Sequence, residues 1–158
     1  MKKLLYLMTF AAMLVTGCCS EKEDMPVFSM NGLVGKITKA TSTHSRVQLL
    51  VDPNLKLSVL EKKSRVVGFL ESVDGHLLTA MIPSHAGVEV GDTLITSGLG
   101  GIFPKGIPVG TVKAVRKSDL DVMRQMDVAP FQEFSALEEV FVMEKEPEWI
   151  IQELLDEQ

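Results

Sequence analysis

Turn chemistry recurs along the body of this chain and separates short apolar stretches. Asp52-Pro53-Asn54, Asp74-Gly75, Gly91-Asp92 and the long run of residues 98–110 divide the chain after Met30 into brief apolar stretches. Inside those stretches side chains alternate. Leu33, Gly35 and Ile37 interleave with Val34, Lys36 and Thr38, and Arg46, Gln48 and Leu50 interleave with Val47, Leu49 and Val51. Period two marks a strand with one buried face. Residues 65–70 and 77–82 are apolar on both faces, as strands inside a small barrel would be. Residues 92–96, 109–116 and 139–143 are the remaining expected strands. Helical period is sustained only in the tail, residues 147–158, where Trp149, Ile150, Leu154 and Leu155 could share one face of a short helix. The reading is all-β: small barrel or sandwich domains of short antiparallel strands, followed by a short C-terminal helix or tail.

The first residues stand apart. Lys2 and Lys3 precede an uncharged stretch, residues 4–15, and then Thr16-Gly17-Cys18. A positive start, a short apolar core and small residues before a cysteine form the pattern of a secretory signal. The stretch is shorter than the roughly 20 apolar residues that span a bilayer. Val15-Thr16-Gly17-Cys18 is similar to a bacterial lipobox, where cleavage frees the cysteine for acylation. Residues 1–17 are therefore expected to be a lipoprotein-type signal peptide, Cys18 the lipidated residue, and 18–24 a linker. An uncleaved signal anchor is the alternative. Cysteine is confined to Cys18 and Cys19, so neither a disulfide nor a thiolate metal site is expected in the folded part.

Charge is unevenly spread. Residues 25–118 hold 11 Lys/Arg against 6 Asp/Glu, whereas 119–158 hold 2 against 12. A basic body suits an anionic membrane surface, and the two halves could equally attract each other or remain solvated. The acidic total and the aromatic-poor basic half argue against nucleic acid as a partner.

The most unusual stretch is Thr96-Ser97-Gly98-Leu99-Gly100-Gly101-Ile102-Phe103-Pro104-Lys105-Gly106-Ile107-Pro108-Val109-Gly110. Its glycines permit positive φ, while Pro104 and Pro108 remove two backbone donors, so it is neither a helix nor a central strand. Ile102 and Phe103 ride on it, either folded back to plug a barrel end or offered to a partner. This stretch resembles the signature loop of the rod shape-determining MreC family. The resemblance extends to Asn31-Gly32-Leu33-Val34-Gly35, to Ser45-Arg46-Val47 and Leu50-Val51-Asp52-Pro53-Asn54, to Val90-Gly91-Asp92, and to Leu137-Glu138-Glu139-Val140. It covers roughly residues 25–143.

The resemblance implies two small β-domains outside the membrane, 25–64 and 65–143, then an acidic tail, 144–158. It also implies a non-enzymatic scaffold of the cell-wall elongation complex, acting in cell shape and peptidoglycan synthesis. The implied partners are a penicillin-binding transpeptidase and an MreD-like membrane protein. The implied place is the outer face of the bacterial cytoplasmic membrane, where the lipobox-like signal would make Cys18 the lipid anchor. Members carry a membrane helix and a coiled coil, where this chain has a lipoprotein-like signal. The first domain is thus expected to be incomplete, with residues 33–39 and 46–51 lacking neighbours and open to self-association through a strand edge. The alternative function is a secreted lipoprotein binding module that reuses the fold.

Enzyme readings fail on residues. Ser97 lies in Ser97-Gly98-Leu99-Gly100-Gly101, without the residues that usually precede a nucleophilic serine, and His44 and Asp52 sit beside turn signals. Gly98-Leu99-Gly100-Gly101-Ile102-Phe103 runs into Pro104 rather than opening a helix, so it does not fit a phosphate loop. His44, His76 and His85 are scattered, which offers no metal site. No cofactor is expected.

Overall fold

The computed structural model describes residues 4–6, 14–15, 23–73, 78–116 and 122–143. Its strands are β1 Leu4–Tyr6, β2 Leu14–Val15, β3 Pro26–Phe28, β4 Leu33–Ala40, β5 Ser45–Leu49, β6 Lys56–Glu61, β7 Val67–Ser72, β8 Leu78–Pro83, β9 Thr93–Thr96, β10 Pro108–Arg116, β11 Met123–Pro130 and β12 Glu139–Val142. All pairing among them is antiparallel, in two sheets. An open sheet runs β1-β12-β3-β4-β5-β2, and a closed barrel runs β10-β11-β8-β7-β6-β9. The all-β expectation is borne out.

The barrel follows from alternation. Leu57 and Val59, Leu70, Leu78, Ala80 and Ile82, Leu94, Val112, and Met126 and Val128 all point into one buried cluster. Each buried aliphatic side chain contributes about 1.5–3 kcal/mol. Register shifts in β10, between Pro108 and Gly110 and between Val112 and Ala114, let that long strand bend and pair with both β9 and β11. The open sheet has its own smaller core of Met25, Val27, Val34, Ile37, Val47 and Val140. Leu33 and Leu50, from β4 and the turn after β5, belong instead to the barrel cluster. The two cores therefore meet beneath the start of β4.

Three sequence expectations change. The boundary after residue 64 gives way, because Leu57 and Val59 of β6 pack inside the barrel and β6 hydrogen-bonds β7 and β9. At the other end, β12 leaves the barrel and joins the open sheet. Val140 is fully buried in that sheet's core, and Phe141 stacks on Phe28 with ring centroids 5.7 Å apart. The open sheet is thus built from both ends of the chain. Residues 33–39 and 46–51 do not lack neighbours: β4 lies between β3 and β5. The outermost positions go to the segment read as a signal peptide. Its β1 pairs with β12 and its β2 with β5. Most of residues 1–17, Cys18, the Asp74-Gly75 turn and the tail 144–158 lie outside the described residues.

Candidate functional site

The run of residues 96–110 is the connection between β9 and β10, and Thr96 closes it. The Thr96 N–H donates to Ile107 O at 2.9 Å, and Gly106 N–H donates to Thr96 O at 3.0 Å. The Thr96 hydroxyl accepts from Ile107 N–H at 2.9 Å and donates to Pro104 O, so a fully buried threonine pins both limbs. Beside it, the Ser97 hydroxyl donates to Ser58 Oγ at 2.9 Å and accepts from Leu99 N–H at 3.0 Å. Gly98, Gly100, Gly101 and Gly106 have φ of 85°, 92°, 69° and 100°, the left-handed region that side chains with a Cβ avoid. That backbone path turns Phe103 inward. Its ring is buried in the barrel cluster, with Ile102 packed against the same cluster. Of the two readings of these residues, the plug describes Phe103. Leu99 takes the opposite course and is 63% exposed.

The loop meets the open sheet. Gly32 has φ of 154°, and a Cβ there would lie 2.5 Å from Pro108 O. Ser29, two residues before the Asn31-Gly32 turn, donates its hydroxyl to the Gln132 side chain after β11. Gly35 sits in β4, where a Cβ would strike Gln48 O of β5. Gly110 lies against Ala129 O in the same way. A groove of ≈ 630 Å³ opens where these parts converge, lined by Pro26 and Met143 on one side and by residues of the loop, among them Leu99, Ile102, Pro104 and Lys105, on the other.

The other motif residues serve turns. Asp52 accepts from Asn54 N–H at 2.8 Å, and Leu55 N–H donates to Asp52 O at 3.0 Å, so Asp52-Pro53-Asn54 is an Asx-type turn leading into the barrel. The Asn54 N–H holds the Asp52 carboxyl below its ordinary range. Ser45 is buried at the start of β5, whereas neighbouring Arg46 is exposed and its carbonyl accepts from the Thr38 hydroxyl at 3.3 Å. Asp92 receives Glu89 N–H at 2.9 Å and the Lys63 ammonium at 2.7 Å, and the Lys63 contact is the main cause of its lowered pKa.

Sequence reasoning missed Glu61. This carboxylate is buried at the end of β6. Burial alone raises its pKa, but both oxygens accept Lys63 N–H at 2.9 Å and one accepts Ser64 N–H, and the net effect is a lowered value. It is a turn-forming group: residues 62–64 make the turn, and Arg65, in the left-handed region at φ 62°, follows them. Pro26 and Met143 were likewise invisible as groove residues, because only the return of β12 brings the chain's two ends together.

The arrangement offers no catalytic chemistry among the described residues. Ser97 is engaged by Ser58 and Leu99, the His44 ring by the Thr43 hydroxyl at 2.8 Å, and Asp52 by its own turn. No group of His, Cys, Asp or Glu able to hold a metal ion occurs among the described residues, nor any helix long and apolar enough to cross a membrane. What the site offers is shape: a hydrogen-bonded loop with an exposed leucine beside an apolar groove.

Comparison with known proteins agrees with this construction. The cell shape-determining protein MreC of Escherichia coli (strain K12) is 37% identical over 108 residues, 67% of this chain and 29% of the relative. That of Listeria monocytogenes is 29% identical over 133 residues, 80% of this chain and 45% of the relative. The chain thus spans less than half the length of these curated relatives. The crystal structure of MreC from Pseudomonas aeruginosa superposes with a TM-score of 0.83 at 21% identity, covering 91% of this chain and 99% of that one. A complex between penicillin-binding protein PBP2 and MreC from Helicobacter pylori contains a chain with a TM-score of 0.73 at 21% identity, covering 90% of this chain and 96% of that one. The major periplasmic domain from the cell shape-determining filament MreC matches with a TM-score of 0.73 at 20% identity, covering 90% and 94%. The family described as "Rod shape-determining protein MreC, barrel core" matches residues 21–144, which hold β3, β4, β5 and β12 of the open sheet and the whole barrel, and the chain belongs to that family.

Proposed function

We propose that this chain is a non-enzymatic scaffold of the cell-wall elongation complex, acting in cell shape and peptidoglycan synthesis by presenting surfaces to other proteins. The observation that carries this is the family match across residues 21–144, which takes in the whole β9–β10 loop. The proposed partners are a penicillin-binding transpeptidase and an MreD-like membrane protein. The transpeptidase is supported by the Helicobacter pylori complex, where a chain of this fold is seen with PBP2. The proposed location is the outer face of the cytoplasmic membrane, with acylated Cys18 as anchor. It is supported by the lipobox-like Val15-Thr16-Gly17-Cys18 and by the periplasmic origin of a similarly folded domain. A segment that enters a membrane or is removed on export cannot also hold the positions of β1 and β2. On this reading export uncovers the outer edges of β12 and β5, and those edges are where a second copy or a partner strand would add.

Affinity purification of the full chain from membranes tests the reading. Recovery of a transpeptidase of the penicillin-binding class, reduced when Leu99 is changed to Glu, is the expected result. A preparation that brings down envelope proteins of other kinds but no elongation component would sink it. Labelled palmitate tests the anchor: wild type should incorporate it, and Cys18→Ser should not.

A further inference from the structure

The groove between the end of β12 and the β9–β10 loop is apolar and open, and two of its residues, Leu99 and Met143, are large hydrophobic side chains at 63% and 36% exposure. Met143 is also the last described residue before the tail, so the 15 residues that follow set out from the groove itself. That tail carries Trp149, Ile150, Leu154 and Leu155 at helical spacing behind Pro147, a residue suited to the first turn of a helix. Trp149 is six positions beyond Met143, a reach of at most about 20 Å. The charges also match. Residues 144–158 hold six acidic side chains and one lysine, and Lys105, on the groove wall, pairs with no carboxylate among the described residues.

We infer that the groove is the docking site of the chain's own C-terminal segment, with Trp149 and Ile150 against Leu99, Ile102 and Met143 and the acidic face toward Lys105. A tether this short makes docking an intramolecular event at high effective concentration, so modest contact suffices. The tail then covers the apolar side of the family's loop until a stronger ligand displaces it. This goes beyond the scaffold reading and does not depend on the identity of any partner.

Trp149 is the chain's single tryptophan, so its fluorescence reports on the surroundings of that one side chain. The full chain in mild detergent should show blue-shifted emission and weak quenching by iodide, unchanged on dilution. Leu99→Glu should shift the emission to the red and raise quenching several-fold, with the far-ultraviolet circular dichroism of the β fold preserved. Lys105→Glu should act in the same direction, and it serves as the reporter variant if Leu99→Glu does not fold. Wild-type emission typical of exposed indole overturns the inference. So does blue-shifted emission that neither variant moves, because the indole then lies elsewhere. Blue shift that disappears on dilution overturns it too, since the groove is then filled by the tail of a second copy.

Discussion

Phe103 and its glycine neighbours divide the work of the β9–β10 loop. The ring is buried in the barrel, so Phe103→Ala should lower stability by about 3–5 kcal/mol in chemical denaturation, with a cavity left at the barrel end. Gly101 meets nothing within 4 Å of a built Cβ, so space is not its constraint. Its φ of 69° is. Gly101→Val should cost about 1–3 kcal/mol through backbone strain alone, read as a lower melting temperature with an unchanged barrel. Acid should act through carboxylates. Asp52, Glu61, Asp92 and Glu133 all have pKa values lowered by hydrogen bonds that favour the charged form. A depressed folded-state pKa gives stability that is present above the unfolded value, near 4, and lost as pH falls through the folded value. Stability should therefore be level from pH 7 to about 5 and decline below pH 4. Glu61→Gln should remove part of that decline while costing about 1.5–3 kcal/mol at pH 7, because an amide cannot accept all the turn's N–H groups. Denaturation midpoints at pH 3, 5 and 7 check both statements.

At the scale of elements, legibility followed alternation. β4, β5, β7, β8, β9, β10 and β12 were readable because apolar residues recur at every second position or because both faces are apolar. β11 was not, since Arg124 and Asp127 place a charge on each face and only Met126 and Val128 carry the inward pattern. β6 was obscured by its last residues: Leu60 and Glu61 are both buried, which breaks period two, and a buried glutamate reads as surface until its turn is seen. β3 was too short to announce itself and exists by pairing with β4 and β12. The loop could be singled out from its glycines and prolines alone, but its contact with Gly32 could not. That contact joins residues far apart in sequence, and only the barrel's closure sets Pro108 O against the turn before β4. The same limit hid the groove.

For the whole molecule, the central position of β4 makes a definite demand on hydrogen exchange. Its amides are bonded to strands on both sides and its side chains enter both cores, so β4 should exchange among the slowest of the open sheet even in dilute monomer. β5 and β12 should exchange faster along their outer edges, and slow when a strand adds there. Fast exchange throughout β4 would mean that the open sheet is not stable by itself. The return of β12 has a further consequence, for biosynthesis. Strands β6 to β11 are consecutive, so the barrel can close as soon as they have left the ribosome, whereas β3 must wait for residues 139–142, which follow the whole barrel. The barrel is in effect an insertion between the two parts of a split sheet. A chain interrupted after Pro130 would release a closed barrel bearing an unfinished sheet, so translation has to pass β12 before the two halves of that sheet can meet.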